Sequence, residues 1–327
     1  MKTLYIIGNG FDIHHGLDTR YQSFAQYLEE SNSELYDLLL TYYGLPDITD
    51  PDITDYEYGL WSHFEEALAD LDYISVLDDN SDWAANPSAE DFKDREWHQY
   101  QQQMELIIKD LTTNLIGEFN NFILKADYVS IPESALIEIE RDSHLLNFNY
   151  TDTLSEAYGI EDERITYIHK KAAVEESRII LGHGTDPANF ETEEEAPPAG
   201  LSQEELFEWE QAKADQYDYS YESAREEILS YYTKAFKNTV EIIKENTKFF
   251  SNLDDVEKVI VLGHSMSKVD LKYFEEIKSK LKANTIWNVS YFGEAEKDGH
   301  KKTLALLGID KKNIVQMKIA DLLKKAH

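Results

Sequence analysis

Residues 4–20 read LYIIGNGFDIHHGLDTR, in which a short apolar run leads directly into the glycine pair Gly8 and Gly10. Leu4 to Ile7 are apolar without alternation, which is typical of a strand buried on both faces of a parallel sheet. Gly8 and Gly10 tolerate positive φ and close backbone approach, and the N–H groups of such a turn suit a phosphate. The stretch therefore predicts the first strand and turn of an α/β domain, with a purely structural strand-to-helix turn as the alternative.

Three later segments repeat the pattern of a strand followed by polar residues. They read HLLNFNYTD at 144–152, ITYIHKKAAVEESRIILGHG at 165–184 and KVIVLGHSMSKVDLKYF at 258–274. The middle segment contains two β-rich runs, which end at His169 and His183. Because the carboxyl ends of parallel strands share one edge, where open sheets bind ligands, we expect these polar residues to meet there.

Composition narrows the class of protein. The chain has 327 residues, enough for one large α/β domain with insertions. Its formal charge of −33 makes nucleic acid an unfavourable partner, and the absence of cysteine excludes disulfides and thiolate metal sites. No apolar run reaches the length that spans a bilayer, so we expect a cytoplasmic protein without membrane contact.

The order of patterns along the chain predicts one domain over residues 1–327. We expect a doubly wound parallel sheet, with helices on both faces and helical insertions at about 44–130 and 186–250. The second insertion is rich in tyrosine. These rings either pack in a core, cover the site or form an interface in a homo-oligomer.

Several motifs together resemble the abortive-infection AbiH family of phage-defence proteins. They are G-N-G-F-D at 8–12, G-L-x-T-x-Y at 16–21, F-N-Y-T-D at 148–152 and G-H-G at 182–184. The resemblance covers nearly the whole chain. It implies a role in phage defence, with a phage-derived trigger as a partner.

More distantly, the order of these elements is similar to sirtuin-like NAD-binding domains of bacterial defence systems. That similarity implies a sirtuin-like, Rossmann-like sheet with NAD as substrate, Asn149 and Asp152 as a catalytic Asn–Asp pair, and His169 as the catalytic histidine. The glycine turn and this similarity together give a set of expected nucleotide-binding residues, namely Gly8, Asn9, Gly10, Phe11, Asp12, Arg20, His183, Gly263, Ser265, Ser267 and Asp270.

Two positions depart from that sirtuin-like pattern. Lys170 follows His169 where the pattern has glycine. Lys268 stands where it has aspartate, and the nearest carboxylate is displaced to Asp270.

The residue types suit cleavage of the bond between nicotinamide and ribose, which requires a positioned water and stabilisation of developing positive charge. Asn149 is suited to orient water or a ribose hydroxyl, and His169 to accept a proton near neutral pH. Asp152 is suited to a ribose hydroxyl or to the cationic centre. Each residue also has a structural alternative, a strand-end or helix-cap role for Asn149 and Asp152 and a core position for His169.

Other polar residues of the first motif leave alternatives open. Asp12 suits a ribose hydroxyl or a backbone N–H, since a carboxylate repels phosphate. Arg20 suits the pyrophosphate or solvent. The adjacent His14 and His15 lack the spacing of a helical metal site, and the scheme requires no metal.

The sequence therefore predicts a phage-defence enzyme that hydrolyses NAD to nicotinamide and ADP-ribose. One alternative is a non-catalytic sensor of a nucleotide or of ADP-ribose that controls a defence assembly. The other is a nuclease effector, against which the acidic charge counts.

Overall fold

The computed structural model describes residues 2–175, 179–191 and 196–323. A six-stranded, all-parallel sheet lies at its centre. The strands are β1 Lys2–Ile7, β2 Ser143–Asn147, β3 Ile165–Tyr167, β4 Val256–Leu262, β5 Ile286–Ser290 and β6 Ile314–Met317. Their spatial order, β3-β2-β1-β4-β5-β6, is that of a Rossmann fold, and it reverses direction between β1 and β4.

Most of the α-helices lie in two long connections along the chain, one between β1 and β2 and the other between β3 and β4. They are α1 Asn9–His14, α2 Tyr21–Ser31, α3 Ser33–Tyr43, α4 Asp55–Leu60, α5 Phe64–Ala67, α6 Tyr73–Asp79, α7 Gln99–Lys109, α8 Leu115–Ile123, α9 Thr153–Glu156, α10 Gln203–Gln216, α11 Tyr219–Leu229, α12 Tyr231–Lys234, α13 Thr239–Glu245, α14 Thr247–Phe250, α15 Leu271–Lys280 and α16 Glu294–Leu306. Within the described ranges, none of them combines the length and apolar character needed to cross a lipid bilayer.

The apolar run of β1 accounts for its central position. Leu4 and Ile6 face one core, which α13 to α16 complete, whereas Tyr5 and Ile7 face a second core on the opposite side of the sheet. All four side chains are nearly inaccessible to solvent. Both faces are therefore covered, which confirms the expected doubly wound α/β architecture.

A third core joins the helices of both expected insertions into one helical layer, to which α2, α3, α5 to α8, α11 and α12 contribute. Two tyrosines of α12 form hydrogen bonds with the segment that follows α5. The Tyr231 hydroxyl donates a hydrogen bond to the Leu68 carbonyl, and the Tyr232 hydroxyl donates to the Leu71 carbonyl, both at 2.8 Å. These two tyrosines of the second insertion therefore pack in a core.

One expected strand does not form. Residues 179–184, the β-rich run that ends at His183, contribute a single bridge between His183 and Phe236. Their backbone bonds to loops instead of to the sheet, since the Ile180 N–H donates to the His169 carbonyl at 2.9 Å. The preceding strand, β3, ends at Tyr167 and leaves His169 in the connection beyond it.

Candidate functional site

A cavity of about 1120 Å³ opens at the carboxyl edge of the sheet, where the strand order reverses. The turns after the strands form one wall and the helical layer forms the other. Pockets for small molecules commonly enclose roughly 300–1,000 Å³, so this volume suits such a ligand. Most of the residues expected from the sequence line it, namely Gly8, Asn9, Gly10, Asp12, Arg20, Asn149, His169, Gly263, Ser265, Ser267 and Asp270.

Three expected residues lie outside the lining that the described residues form. Phe11 is fully buried in a sheet core and stacks on Tyr158. Asp152 stands at the N-cap position of α9, but its carboxylate pairs with Lys171 Nζ at 2.7 Å. The third residue, His183, is buried among aromatic rings of the helical layer.

The G-H-G motif positions a lysine that the sequence analysis did not single out. The His183 N–H donates to the Ala235 carbonyl at 3.1 Å, and the His183 carbonyl accepts from the Lys237 N–H at 2.8 Å. Gly182 permits this approach, since a Cβ at that position would lie 2.1 Å from the Ala235 oxygen. The motif therefore fixes the backbone that carries Lys237.

The turns after β1 and β4 pack directly against each other. The Gly10 N–H donates to the Gly263 carbonyl at 2.7 Å. A Cβ on Gly8 would lie 2.6 Å from His264 Cα, and one on Gly10 would lie 2.7 Å from Gly263 Cα. Neither Gly8 nor Gly10 has positive φ, whereas Gly263 has φ +62°. Backbone-to-backbone packing thus explains these glycines, and the Gly10 N–H is engaged within the protein.

Asp12 links the first motif to the F-N-Y-T-D segment. Its two carboxylate oxygens accept hydrogen bonds from the hydroxyls of Thr153 at 2.6 Å and Thr151 at 2.7 Å. Burial raises the pKa of Asp12 to about 6, although these bonds and one from Asn149 oppose the rise. The Asn149 Nδ2 group also donates to the Gly8 carbonyl at 3.1 Å. The asparagine is therefore held against the first turn.

A buried ammonium group lies beneath the cavity. The Lys237 side chain is 0% exposed, and its Nζ lies 2.7 Å from Glu65 Oε2 and 3.1 Å from Asp270 Oδ1. Burial by itself lowers the pKa of Lys237, but the charges of Asp270 and Glu65 outweigh it and raise that pKa. The Tyr21 hydroxyl donates to the other Glu65 oxygen at 2.5 Å.

Two imidazoles flank Asp270. His169 Nε2 lies 3.7 Å from Asp270 Oδ1, and His264 Nε2 lies 3.5 Å from Asp270 Oδ2. Burial and the charge of Lys237 lower the pKa of His169 well below its usual value, and they lower the pKa of His264 to about 3. Because His264 Nδ1 accepts the Met266 N–H at 2.9 Å, the proton of its neutral ring is on Nε2, facing Asp270.

The two departures from the sirtuin-like pattern leave this arrangement in place. Lys170 has φ +63°, the left-handed conformation that glycine favours, and its side chain is exposed. Lys268 is exposed as well, and the cavity lining includes Asp270 instead.

Sequence reasoning missed Glu65 and Lys237, and it gave His264 no role. Glu65 lies on α5 in the first insertion, and Lys237 follows α12 in the second. No local pattern distinguishes them, because charged residues are frequent in both segments and most of these face solvent. Among the described side chains, no group of three or more His, Asp or Glu residues is arranged to hold a metal ion.

Comparison with known families agrees with the motifs that build this site. The family model described as bacteriophage abortive infection AbiH matches residues 4–291, a range that includes β1 to β5 and both helical segments. Comparisons with curated proteins and with solved structures found no match. The chain therefore belongs to the bacteriophage abortive infection AbiH family.

Proposed function

We propose that this abortive-infection protein binds NAD in the cavity and hydrolyses it to nicotinamide and ADP-ribose. The observation that carries the proposal is the presence of Asn149 and His169 in one cavity at the reversal point of the strand order. Open α/β sheets bind nucleotides at that point. The sirtuin-like order of the motifs favours NAD over other nucleotides.

His169 is suited to be the general base. Its lowered pKa leaves the imidazole unprotonated at neutral pH. No hydrogen-bond partner within the described part of the chain reaches the buried Nε2 atom, so the protein leaves its hydrogen-bonding capacity unused. In the proposed step the water oxygen bonds to the ribose carbon while the carbon–nitrogen bond breaks. The bonding pair leaves with nicotinamide, and the water proton passes to His169.

Asn149 and the charged rim complete the proposed substrate contacts. The hydrogen bond from Asn149 to the Gly8 carbonyl fixes its amide, which orients the water or a ribose hydroxyl. Arg20 and Lys318 bring positive charge to the lining. Because cationic side chains form strong, charge-assisted bonds to phosphate oxygens, this rim suits the pyrophosphate.

The test uses cells that express the full chain and are infected with a phage that the chain restricts. We expect NAD to fall and nicotinamide and ADP-ribose to rise after infection. Asn149→Ala and His169→Ala should each slow the loss of NAD by at least ~10²-fold and abolish protection, a common scale for losing one general-base or orienting group. The double variant should lose less than the product of the two effects, since both residues act on one transition state.

His144→Gln is the matched control. His144 lies at the start of β2, near Asp255 and away from the cavity, so this variant should keep both NAD loss and protection. Full protection at constant NAD would overturn hydrolysis. Binding of ADP-ribose in that case would identify the nucleotide sensor, and degraded nucleic acid would identify a nuclease.

A further inference from the structure

Lys237 connects the two walls of the cavity. Glu65 comes from α5 in the helical layer, and Asp270 comes from the connection between β4 and α15. A single ammonium group bonds to both carboxylates. We propose that Lys237 is a positioning residue of the site, which joins Glu65 to Asp270 and offsets their negative charge beside the imidazoles of His169 and His264. Its role in turnover rests on the NAD hydrolysis proposed above, whereas its effect on the imidazoles does not.

Burial of this lysine requires both partners. Removing a charged group from water costs several kcal/mol. This cost is offset only when opposite charges lie close to the group and form hydrogen bonds with it. A neighbouring lysine shows the ordinary situation. Lys234 pairs with Glu227 at 2.8 Å, but its side chain is 48% exposed, so its ion pair is screened by water.

The charges of Lys237, Glu65, Asp270 and the groups around them determine whether loss of Lys237 raises or lowers the pKa of His169. Lys237 contributes one positive charge, and Glu65 and Asp270 contribute two negative charges. The hydroxyls of Tyr21, Tyr150 and Tyr273 stay neutral, because burial and the nearby carboxylates raise their pKa values.

The remaining neighbours are imidazoles. Burial lowers the pKa of His169, His264 and His300, and each is unprotonated at neutral pH. The Glu296 carboxylate lies 3.8 Å from His300, and its charge opposes the lowering of the His300 pKa by burial. Without Lys237, the Asp270 carboxylate would face His169 with no cation beside it. The pKa of His169 would rise, and more of the imidazole would be protonated at any given pH.

The decisive experiment is Lys237→Met in the full chain, which keeps the length of the side chain and removes the charge. We expect the imidazole signal of His169, followed by NMR, to titrate at least about one pH unit higher than in the wild type. The acid limb of NAD hydrolysis should move upward by a similar amount. Lys234→Met is the matched control and should leave both the titration and the pH profile unchanged.

A second variant covers a failure of Lys237→Met to fold. Glu65→Gln combined with Lys237→Met removes one of the two stranded carboxylates, and Asp270 still faces His169. This chain should fold, with the His169 titration and the acid limb of hydrolysis still shifted upward. A wild-type His169 titration in either folded variant would overturn the positioning role. If the wild-type protein leaves NAD intact, the proposed hydrolysis is overturned. The proposal for Lys237 is still tested, because the titration of His169 requires no turnover.

Discussion

At Lys170 the backbone adopts a left-handed conformation, φ +63°, that side chains other than glycine disfavour by about 1–2 kcal/mol. The surrounding contacts hold this turn in place. The Lys170 N–H donates to the Tyr167 carbonyl at 3.2 Å, and the next residue, Lys171, pairs with Asp152 and Asp162. The turn follows His169 directly, so these contacts fix the backbone next to that residue.

Lys170→Gly should therefore stabilise the protein. Glycine takes the same φ without strain, and we expect the free energy of unfolding to rise by up to about 1 kcal/mol, part of the relief being lost to the greater freedom of the unfolded chain. Urea unfolding measures the change. Lys170→Ala retains the strain and should give no gain; an equal gain in both variants would assign the effect to the lost charge.

Asp12 predicts a pH dependence of stability. Its folded-state pKa of about 6 lies above the usual value, so it stabilises the fold when protonated, and this contribution is lost as the pH rises through 6. Between about pH 5 and about pH 7.5, wild type should lose about 1.4 kcal/mol more than Asp12→Asn. Urea unfolding at the two pH values gives the comparison. Equal pH dependence would mean that the carboxylate ionises as if exposed.

The residues at the ends of strands were predictable from the sequence, because parallel strands bring their carboxyl ends to one edge. Asn149, His169 and Asp270 reach the cavity for this reason. Glu65 and Lys237 were not predictable, since their meeting depends on how the helical layer docks on the sheet. His183 was expected in the site, but its side chain lies outside the cavity. Its motif fixes the His183 backbone against Ala235 and Lys237, and this does not direct the side chain to the cavity.

At the scale of elements, the contact between the first turn and the turn after β4 predicts that its glycines are needed for folding. Gly263→Ala would add a Cβ 2.2 Å from the Phe11 nitrogen at a position of positive φ. Gly10→Val would drive its side chain into the Gly263 backbone. Each should lower the free energy of unfolding by about 3 kcal/mol or more, or prevent folding.

Gly117→Ala provides the comparison for these variants in the same unfolding measurement. Gly117 lies inside α8 with no atom within 4 Å of an added Cβ, so alanine should stabilise the helix by about 0.5–1 kcal/mol. A folded Gly10→Val protein with weakened NAD binding would instead support phosphate binding by the first turn, the role predicted from its sequence.

Continuous apolar runs made the central strands predictable, because only a strand covered on both faces requires them. The run at 179–184 has similar composition, but Gly182 and Gly184 let its backbone approach Ala235 and Val269 instead of a strand. A π-helical turn at Asp110–Asn114 separates α7 from α8, and the periodicity of side chains does not reveal this turn.

For the whole molecule, the formal charge of −33 predicts stabilisation by salt. Like charges repel more strongly in the compact state than in the unfolded chain, and salt screens them. Raising NaCl from about 20 mM to about 300 mM should stabilise the fold by about 1 kcal/mol or more, which raises Tm by at least about 2 °C. The same rise in KCl would identify screening; a fall in Tm would show that attractive pairs dominate the surface.

The central position of β1 in the sheet affects how the chain folds while it is being synthesised. β1 leaves the ribosome before its two neighbours, β2 and β4, which begin only at Ser143 and Val256. At roughly 5–20 residues per second, the nascent chain carries an unpaired apolar strand for about 7 s or longer before β2 appears. Unpaired strand edges promote aggregation, so a chaperone that shields this segment should raise the yield. The cavity remains incomplete on every nascent chain until its lining residues Lys318 to Ala320 have been translated.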